Sequence, residues 1–96
     1  MKMLTEYEIQ KRLEKLTGWN YDENAIHTDY EFNNFKDCMS VINRISFECE
    51  ALNHHPEWKN TFNTLEITLT THDAGGVTEL DFKLAEAIHT IVKTEK

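Results

Sequence analysis

The segment EALNHHPEW, residues 50–58, decides how the chain folds, because it ends a long helix and leads into a hairpin. Pro56 is the single proline of the chain, and a proline disfavours helical geometry at the residue before it, His55. The helix therefore ends near His54, and the two adjacent histidines lie at its C-terminus. Glu50 stands four residues before His54, so we expect the two side chains to share one helix face.

Upstream of this segment, apolar residues recur every three or four positions, which is typical of a helix that buries one face. They are Phe35, Cys38, Met39, Ile42, Ile45, Cys49 and Leu52. Asn34 offers an N-cap, with Asp37 three residues beyond it. We interpret this segment as the core helix, and its two cysteines as core residues that lie too far apart along the helix for a disulfide.

Two further amphipathic segments predict two more helices. The first spans about residues 6–17 and begins with a capping box formed by Thr5 and Glu8. The last begins at Thr78, and we expect it to fray over residues 94–96. Its predicted apolar face comprises Leu80, Leu84, Ala87, Ile88, Ile91 and Val92.

Alternation of apolar and polar residues predicts two hairpins. The first occupies residues 19–32. The second turns at residues 63–64 and then carries Leu65, Ile67 and Leu69 on one face, toward the core helix. The order α-β-β-α-β-β-α predicts an α+β fold: a four-stranded antiparallel sheet covered on one face by three helices.

Length and charge exclude several classes of protein. Residues 1–96 are short enough to form a single domain. The net charge of −7 would repel a phosphate backbone, so we expect no direct binding to nucleic acid. The sequence contains no apolar run long enough for a transmembrane helix or a signal peptide. We therefore expect no membrane partner and a cytoplasmic location.

Five polar residues lack an evident structural task, and they lie at helix and strand ends, where functional sites are usually assembled. They are Glu50, His54, His55, His72 and Asp81. Adjacent imidazoles fill a core poorly, but they suit proton transfer or the holding of a polar ligand, since an unperturbed histidine titrates near ~6.5. Asp81 has a simpler explanation as well, because it completes a capping box with Thr78.

The spacing of these residues resembles that of the pterin-4a-carbinolamine dehydratases. The resemblance includes Gly18-Trp19, His-His-Pro-Glu-Trp at 54–58, Leu-x-Ile-x-Leu-x-Thr-His at 65–72, and Leu80-Asp81. It implies the same sheet covered by three helices. It also implies a hydro-lyase that needs no cofactor or metal and dehydrates 4a-hydroxytetrahydropterin to quinonoid dihydropterin, which recycles the cofactor of aromatic amino-acid hydroxylases.

The same resemblance suggests a role for each residue. The catalytic residues are His54, His55 and His72, of which His54 and His72 form the acid–base pair and His55 holds the substrate. Glu50 orients His54 or binds the pterin ring. The remaining substrate-binding positions are Asn53, Thr70, Thr71, Asp73 and Asp81. Asn53 stands where members of this family often carry Asp.

Two other functions stay open. The three histidines and Glu50 form a conceivable zinc set, although adjacent histidines chelate one metal awkwardly and the spacing fits no common zinc pattern. A non-catalytic scaffold is the second, because one member of the family is a dimerisation partner of a homeodomain transcription factor. We expect a homodimer or homotetramer, with the hydroxylase system or a transcription factor as a candidate protein partner.

Overall fold

The computed structural model describes residues 1–95 and confirms the predicted α+β architecture. Its elements are α1 (Glu6–Leu13), β1 (Asn20–Asp22), β2 (Ala25–Glu31), α2 (Phe35–Leu52), β3 (Glu57–Thr61), β4 (Thr64–Leu69), a 3₁₀ turn (His72–Ala74) and α3 (Glu79–Glu95). The strands pair antiparallel in the order β1-β2-β4-β3, so β1 and β3 are the edges of the sheet. None of the helices within residues 1–95 is long and apolar enough to cross a bilayer.

The ends of two helices differ from the prediction. The capping box at the start of α1 forms, but α1 ends at Leu13 rather than at residue 17. Beyond Leu13 the backbone tightens, because Leu16 N donates to Leu13 O at 3.1 Å, a shorter-range bond than an α-helix makes. At the other end of the chain α3 continues to Glu95, so fraying is not seen at residues 94–95, and residue 96 lies outside the described residues.

The second hairpin turns one residue earlier than predicted. β3 ends at Thr61 and β4 begins at Thr64, and Phe62 adopts a positive φ of 50° in the turn. The turn is fixed from outside the hairpin, because Asn63 Nδ2 donates to Phe32 O at 2.7 Å and Phe32 N donates to Asn63 O at 2.8 Å. Phe62 is consequently 66% exposed.

The core lies between one face of the sheet and the helices. The sheet supplies Ile26, Leu65, Ile67 and Leu69, and the helices supply Val41, Ile45, Phe82, Leu84 and Ile88. The three residues of β4 therefore face the helical layer as predicted. Cys38 and Cys49 are free and buried, which confirms them as core residues. Burial raises the pKa of the Cys49 thiol to about 11, so this thiol stays protonated at neutral pH.

The alternation along β4 gives a test of the packing. Ile67 is 1% exposed, whereas the neighbouring Glu66 points to the opposite, polar face. We expect Ile67→Ala to lower the free energy of unfolding by about 2–5 kcal/mol, because it leaves a cavity in the core. Glu66→Ala should change it by less than about 0.5 kcal/mol. Urea unfolding followed by circular dichroism measures both, and equal effects would contradict the assigned faces.

Candidate functional site

The end of α2 separates the two adjacent histidines. Asn53 adopts a left-handed conformation, with φ 51° and ψ 47°, and acts as the C-cap. His54 N then donates to Cys49 O at 2.9 Å, which completes a Schellman-type ending. This reversal of the chain turns His54 inward, where the residue is only 9% exposed, while the side chain of His55 remains 60% exposed. The two imidazoles therefore occupy different environments.

A buried carboxylate holds His54. His54 Nε2 lies 2.5 Å from Asp81 Oδ1, and the Asp81 side chain is fully buried. The other oxygen, Asp81 Oδ2, accepts from Thr78 N at 2.9 Å and from the Thr71 hydroxyl at 2.8 Å. Asp81 thus caps α3, as its spacing from Thr78 predicted, and it also bonds the histidine. We refer to His54, Thr71, Thr78 and Asp81 as the Asp81 cluster.

The predicted pairing of Glu50 with His54 is wrong. Glu50 Oε2 instead accepts from His55 Nε2 at 2.7 Å, and both of these side chains are mostly exposed. The reason is the left-handed Asn53, which ends the helix before His54 and so takes that residue off the face that Glu50 shares. Glu50 can therefore orient His55, and Asp81 orients His54.

A groove of about 320 Å³ lies beside the Glu50–His55 pair, between the end of α2 and the start of β3. Phe47, Pro56 and Trp58 give it an apolar lining, and Glu50 and His55 add polar groups. We call it the α2–β3 groove. A mostly apolar concave surface with a few polar groups is the usual form of a small-molecule site, and it suits a flat, hydrogen-bonding ring system.

His72 follows β4 at the strand exit, as the sequence predicted, and begins the 3₁₀ turn with its residue exposed. The loop that carries it is closed by a bridge in which Thr71 N donates to Gly76 O at 3.0 Å. The side chain of the same Thr71 donates to Asp81. The chain therefore connects His54 to the base of the His72 loop through two side chains, Asp81 and Thr71.

The other predicted site residues have varied surroundings. Asn53 is exposed at the helix end, and Asp73 is exposed within the 3₁₀ turn. The hydroxyl of Thr70 donates to Asn24 O at 2.8 Å, so it ties β4 to the turn between β1 and β2. Thr78 was not predicted as a site residue. Its capping-box spacing was the available signal, and that spacing says nothing of a link to a histidine.

The zinc set suggested by the sequence is not assembled. Within residues 1–95, no group of three or more His, Cys, Asp or Glu side chains is arranged to hold a metal ion. The two adjacent histidines bond to different carboxylates, His54 to Asp81 and His55 to Glu50. A site that used both imidazoles on one metal would have to break these bonds.

Known proteins resemble this chain over almost its whole length. Residues 2–91 match the family described as pterin 4 alpha carbinolamine dehydratase. A relative from Christiangramia forsetii, whose name carries that activity, is 56% identical over 98% of this chain and 97% of its own. A relative of the same name from Opitutus terrae is 44% identical over 93% of each chain. The crystal structure of a transcriptional coactivator/pterin dehydratase from Brucella melitensis superimposes with a TM-score of 0.91 at 37% identity, covering 94% of this chain and 98% of that one.

The two histidine–carboxylate pairs differ in burial, and this predicts different contributions to stability. Asp81→Ala leaves buried donors without an acceptor, so we expect it to lower the free energy of unfolding by roughly 2–4 kcal/mol. Glu50→Ala removes the matched pair at the surface and should cost less than about 1 kcal/mol. Urea unfolding of both variants measures the difference. A Glu50 variant as unstable as the Asp81 variant would disprove this ranking.

Proposed function

We propose that this chain, which belongs to the pterin-4a-carbinolamine dehydratase family and is a hydro-lyase, removes the 4a-hydroxyl of a 4a-hydroxytetrahydropterin by histidine acid–base catalysis. The products are a quinonoid dihydropterin and water, so the reaction returns the pterin to the pool from which tetrahydropterin is regenerated. The observation that supports the mechanism most is the Asp81 cluster, which holds one catalytic imidazole against a buried carboxylate.

The chemistry requires two proton transfers. Hydroxide is a poor leaving group, so an acid must protonate the 4a-oxygen as its bond to the ring carbon breaks. A base must take a proton from the pterin ring, whose electrons then form the new double bond. Imidazoles can serve in both roles near neutral pH. We assign the two transfers to His54, at the end of α2, and to His72, at the exit of β4.

Asp81 determines which ring nitrogen of His54 carries the proton. A carboxylate only accepts hydrogen bonds, so the 2.5 Å contact is donated by His54 Nε2–H. In the neutral ring this leaves Nδ1 without a proton and free to exchange one with the substrate. The buried carboxylate also stabilises the imidazolium that forms when Nδ1 accepts a proton, as the aspartate of a serine protease triad does for its histidine.

We assign binding of the pterin ring to the α2–β3 groove. His55 holds the pterin there, with the imidazole of His55 oriented by Glu50, and Trp58 supplies an apolar surface.

Asn53 replaces the aspartate that the family often has beside the histidines, and the structural setting favours the amide. A negative charge at a helix C-terminus is opposed by the helix dipole, and asparagine tolerates a left-handed backbone. A neutral amide can both donate to and accept from the ring.

The histidine roles predict distinct kinetic defects. We expect His54→Ala and His72→Ala each to lower kcat by roughly 10²–10⁴-fold with little change in KM, because each removes a proton transfer. His55→Ala should instead raise KM more than it lowers kcat, since it removes binding. The dehydration also proceeds without enzyme, so this background rate is subtracted from every measurement. The assay follows quinonoid dihydropterin formed from freshly generated 4a-hydroxytetrahydropterin.

Two controls separate this mechanism from its alternatives. Protein purified without added metal should keep full activity in a chelator, because imidazoles supply the protons. Activity that chelation abolishes and zinc restores would support the metal alternative.

His27→Ala is the matched control for the histidine variants, because His27 lies on the polar face of the sheet and bonds Thr68 Oγ1 at 3.0 Å. Its kcat should equal that of the wild type. A wild-type protein without dehydratase activity would support the scaffold alternative.

We also propose that the chain forms a homodimer or homotetramer. Phe35, Met39 and Phe47 are exposed on α2, β3 is an open sheet edge, and Phe62 is exposed in the turn that follows β3. Exposed apolar side chains beside an unpaired edge are typical of surfaces that a second copy covers. The coactivator role is named for the Brucella melitensis protein and is not assigned to this chain. A different protein partner of this chain would compete with a second copy for the same surface.

The oligomer can be tested by light scattering at micromolar concentration, where we expect the mass of a dimer or tetramer. Met39→Glu places a charge in the apolar surface of α2 and should shift the mass toward the monomer. Thr90→Glu introduces the same charge on an exposed position of α3 and is the matched control. A wild-type monomer at these concentrations would refute self-assembly.

A further inference from the structure

Thr78 is fully buried at the start of α3, and its hydroxyl does more than cap the helix. The cap uses the Thr78 N–H, which donates to Asp81, and the hydroxyl oxygen, which accepts from Leu80 N at 3.2 Å. The hydroxyl proton has no part in this cap. The hydroxyl oxygen of Thr71 lies 2.8 Å from that of Thr78, within hydrogen-bond distance.

The direction of each bond in this group follows from counting protons. The Thr71 hydroxyl has a single proton, and it donates that proton to Asp81 Oδ2 at 2.8 Å. The bond between the two hydroxyls must therefore be donated by Thr78. Each hydroxyl then donates once and accepts at least once, and the chain of donors runs from Leu80 through Thr78 and Thr71 to the carboxylate. His54 donates to the other oxygen of the same carboxylate.

We propose that Thr78 is a positioning residue for the dehydration, an inference that rests on the proposed function. Its hydroxyl fixes the rotamer in which Thr71 donates to Asp81, and Asp81 holds the imidazole of His54. Thr71 also forms the bridge with Gly76 that closes the loop beginning at His72. The Thr78 hydroxyl therefore acts on His54 through Thr71 and Asp81, and the same Thr71 belongs to the base of the loop that carries His72.

Among the described residues 1–95, the Thr71 hydroxyl is in hydrogen-bond contact with Thr78 and Asp81, and of these the carboxylate of Asp81 cannot donate. Without the Thr78 donor, the Thr71 oxygen loses its partner and its hydroxyl is free to rotate away from Asp81. The carboxylate then keeps two of its three donors, and the imidazole is held by a less constrained acceptor. Errors of about 1 Å in the placement of a catalytic group cost up to roughly 100-fold in rate. The defect should therefore lie in kcat, because the binding groove is formed by other residues.

The test compares two variants of Thr78 with a control variant at another buried threonine. Thr78→Val keeps the shape and the bond from Thr78 N to Asp81 but removes the hydroxyl, which also accepts from Leu80 N. We expect kcat to fall roughly 10- to 100-fold with KM little changed. Thr78→Ser restores the hydroxyl and should restore most of kcat. Thr28→Val is the matched control, because it removes another buried hydroxyl. Thr28 lies on β2, and its hydroxyl donates to Gly18 O at 2.7 Å. This variant should keep wild-type kcat.

A second measurement does not depend on activity. The proton on His54 Nε2 should give a resolved, slowly exchanging imidazole signal by NMR in the wild type. Thr78→Val should broaden that signal or speed its exchange, whereas Thr28→Val and Thr78→Ser should not. If Thr78→Val fails to fold, Thr78→Ala takes its place, because it also keeps the bond from Thr78 N to Asp81 and adds no bulk.

The outcomes separate this inference from the proposed function. Wild-type kcat together with an unchanged His54 signal in Thr78→Val overturns the positioning role. So does a Thr78→Ser variant as slow as Thr78→Val, because a hydroxyl at position 78 would then not restore the rate. If the wild type lacks dehydratase activity but the His54 signal responds to Thr78→Val, the proposed function fails and the structural link through Thr78 stands.

Discussion

The carboxylate of Asp81 is the interaction on which the rest of the site depends. It is fully buried, and burying an unpaired charge costs several kcal/mol or more, so such a group persists only where donors surround it. Three donors do so here: an imidazole from the end of α2, a hydroxyl from the exit of β4, and a backbone N–H at the start of α3. The carboxylate therefore joins three elements at one point and fixes their relative positions.

The second pair, Glu50 with His55, has the opposite character. Both side chains lie mostly in water, where an ion pair contributes little to stability and is easily exchanged for another partner. Such a pair can reorganise when a polar ring enters the groove beside it. The imidazole of His54 is thus held rigidly, whereas that of His55 can adapt. The left-handed Asn53 that precedes them causes this difference, because it turns His54 inward.

Sequence rules succeed here wherever the cause is local. The capping boxes, the alternation along β4 and the effect of Pro56 each act over a few residues, and they predicted the element order and the buried faces. The failures have distant causes. The second hairpin turns early because Asn63 bonds to Phe32, which directly follows β2. The contact of His54 with Asp81 spans 27 residues, so neither its existence nor its consequence for Glu50 follows from local spacing. The family resemblance predicts which residues form the site, but it does not give their hydrogen-bond partners.

Assembly of the candidate site also depends on the start of α3. Asp81 and Thr78 belong to the last helix of the chain, while His54 and the loop of His72 precede it. A folding intermediate that has formed the sheet and α2 but has not docked α3 leaves His54 without its acceptor. The hairpins can pair and the α2–β3 groove can form without α3, yet His54 gains its acceptor only once the first turn of α3 is in place. Local opening of that turn alone would therefore release His54 while the sheet and α2 stay folded.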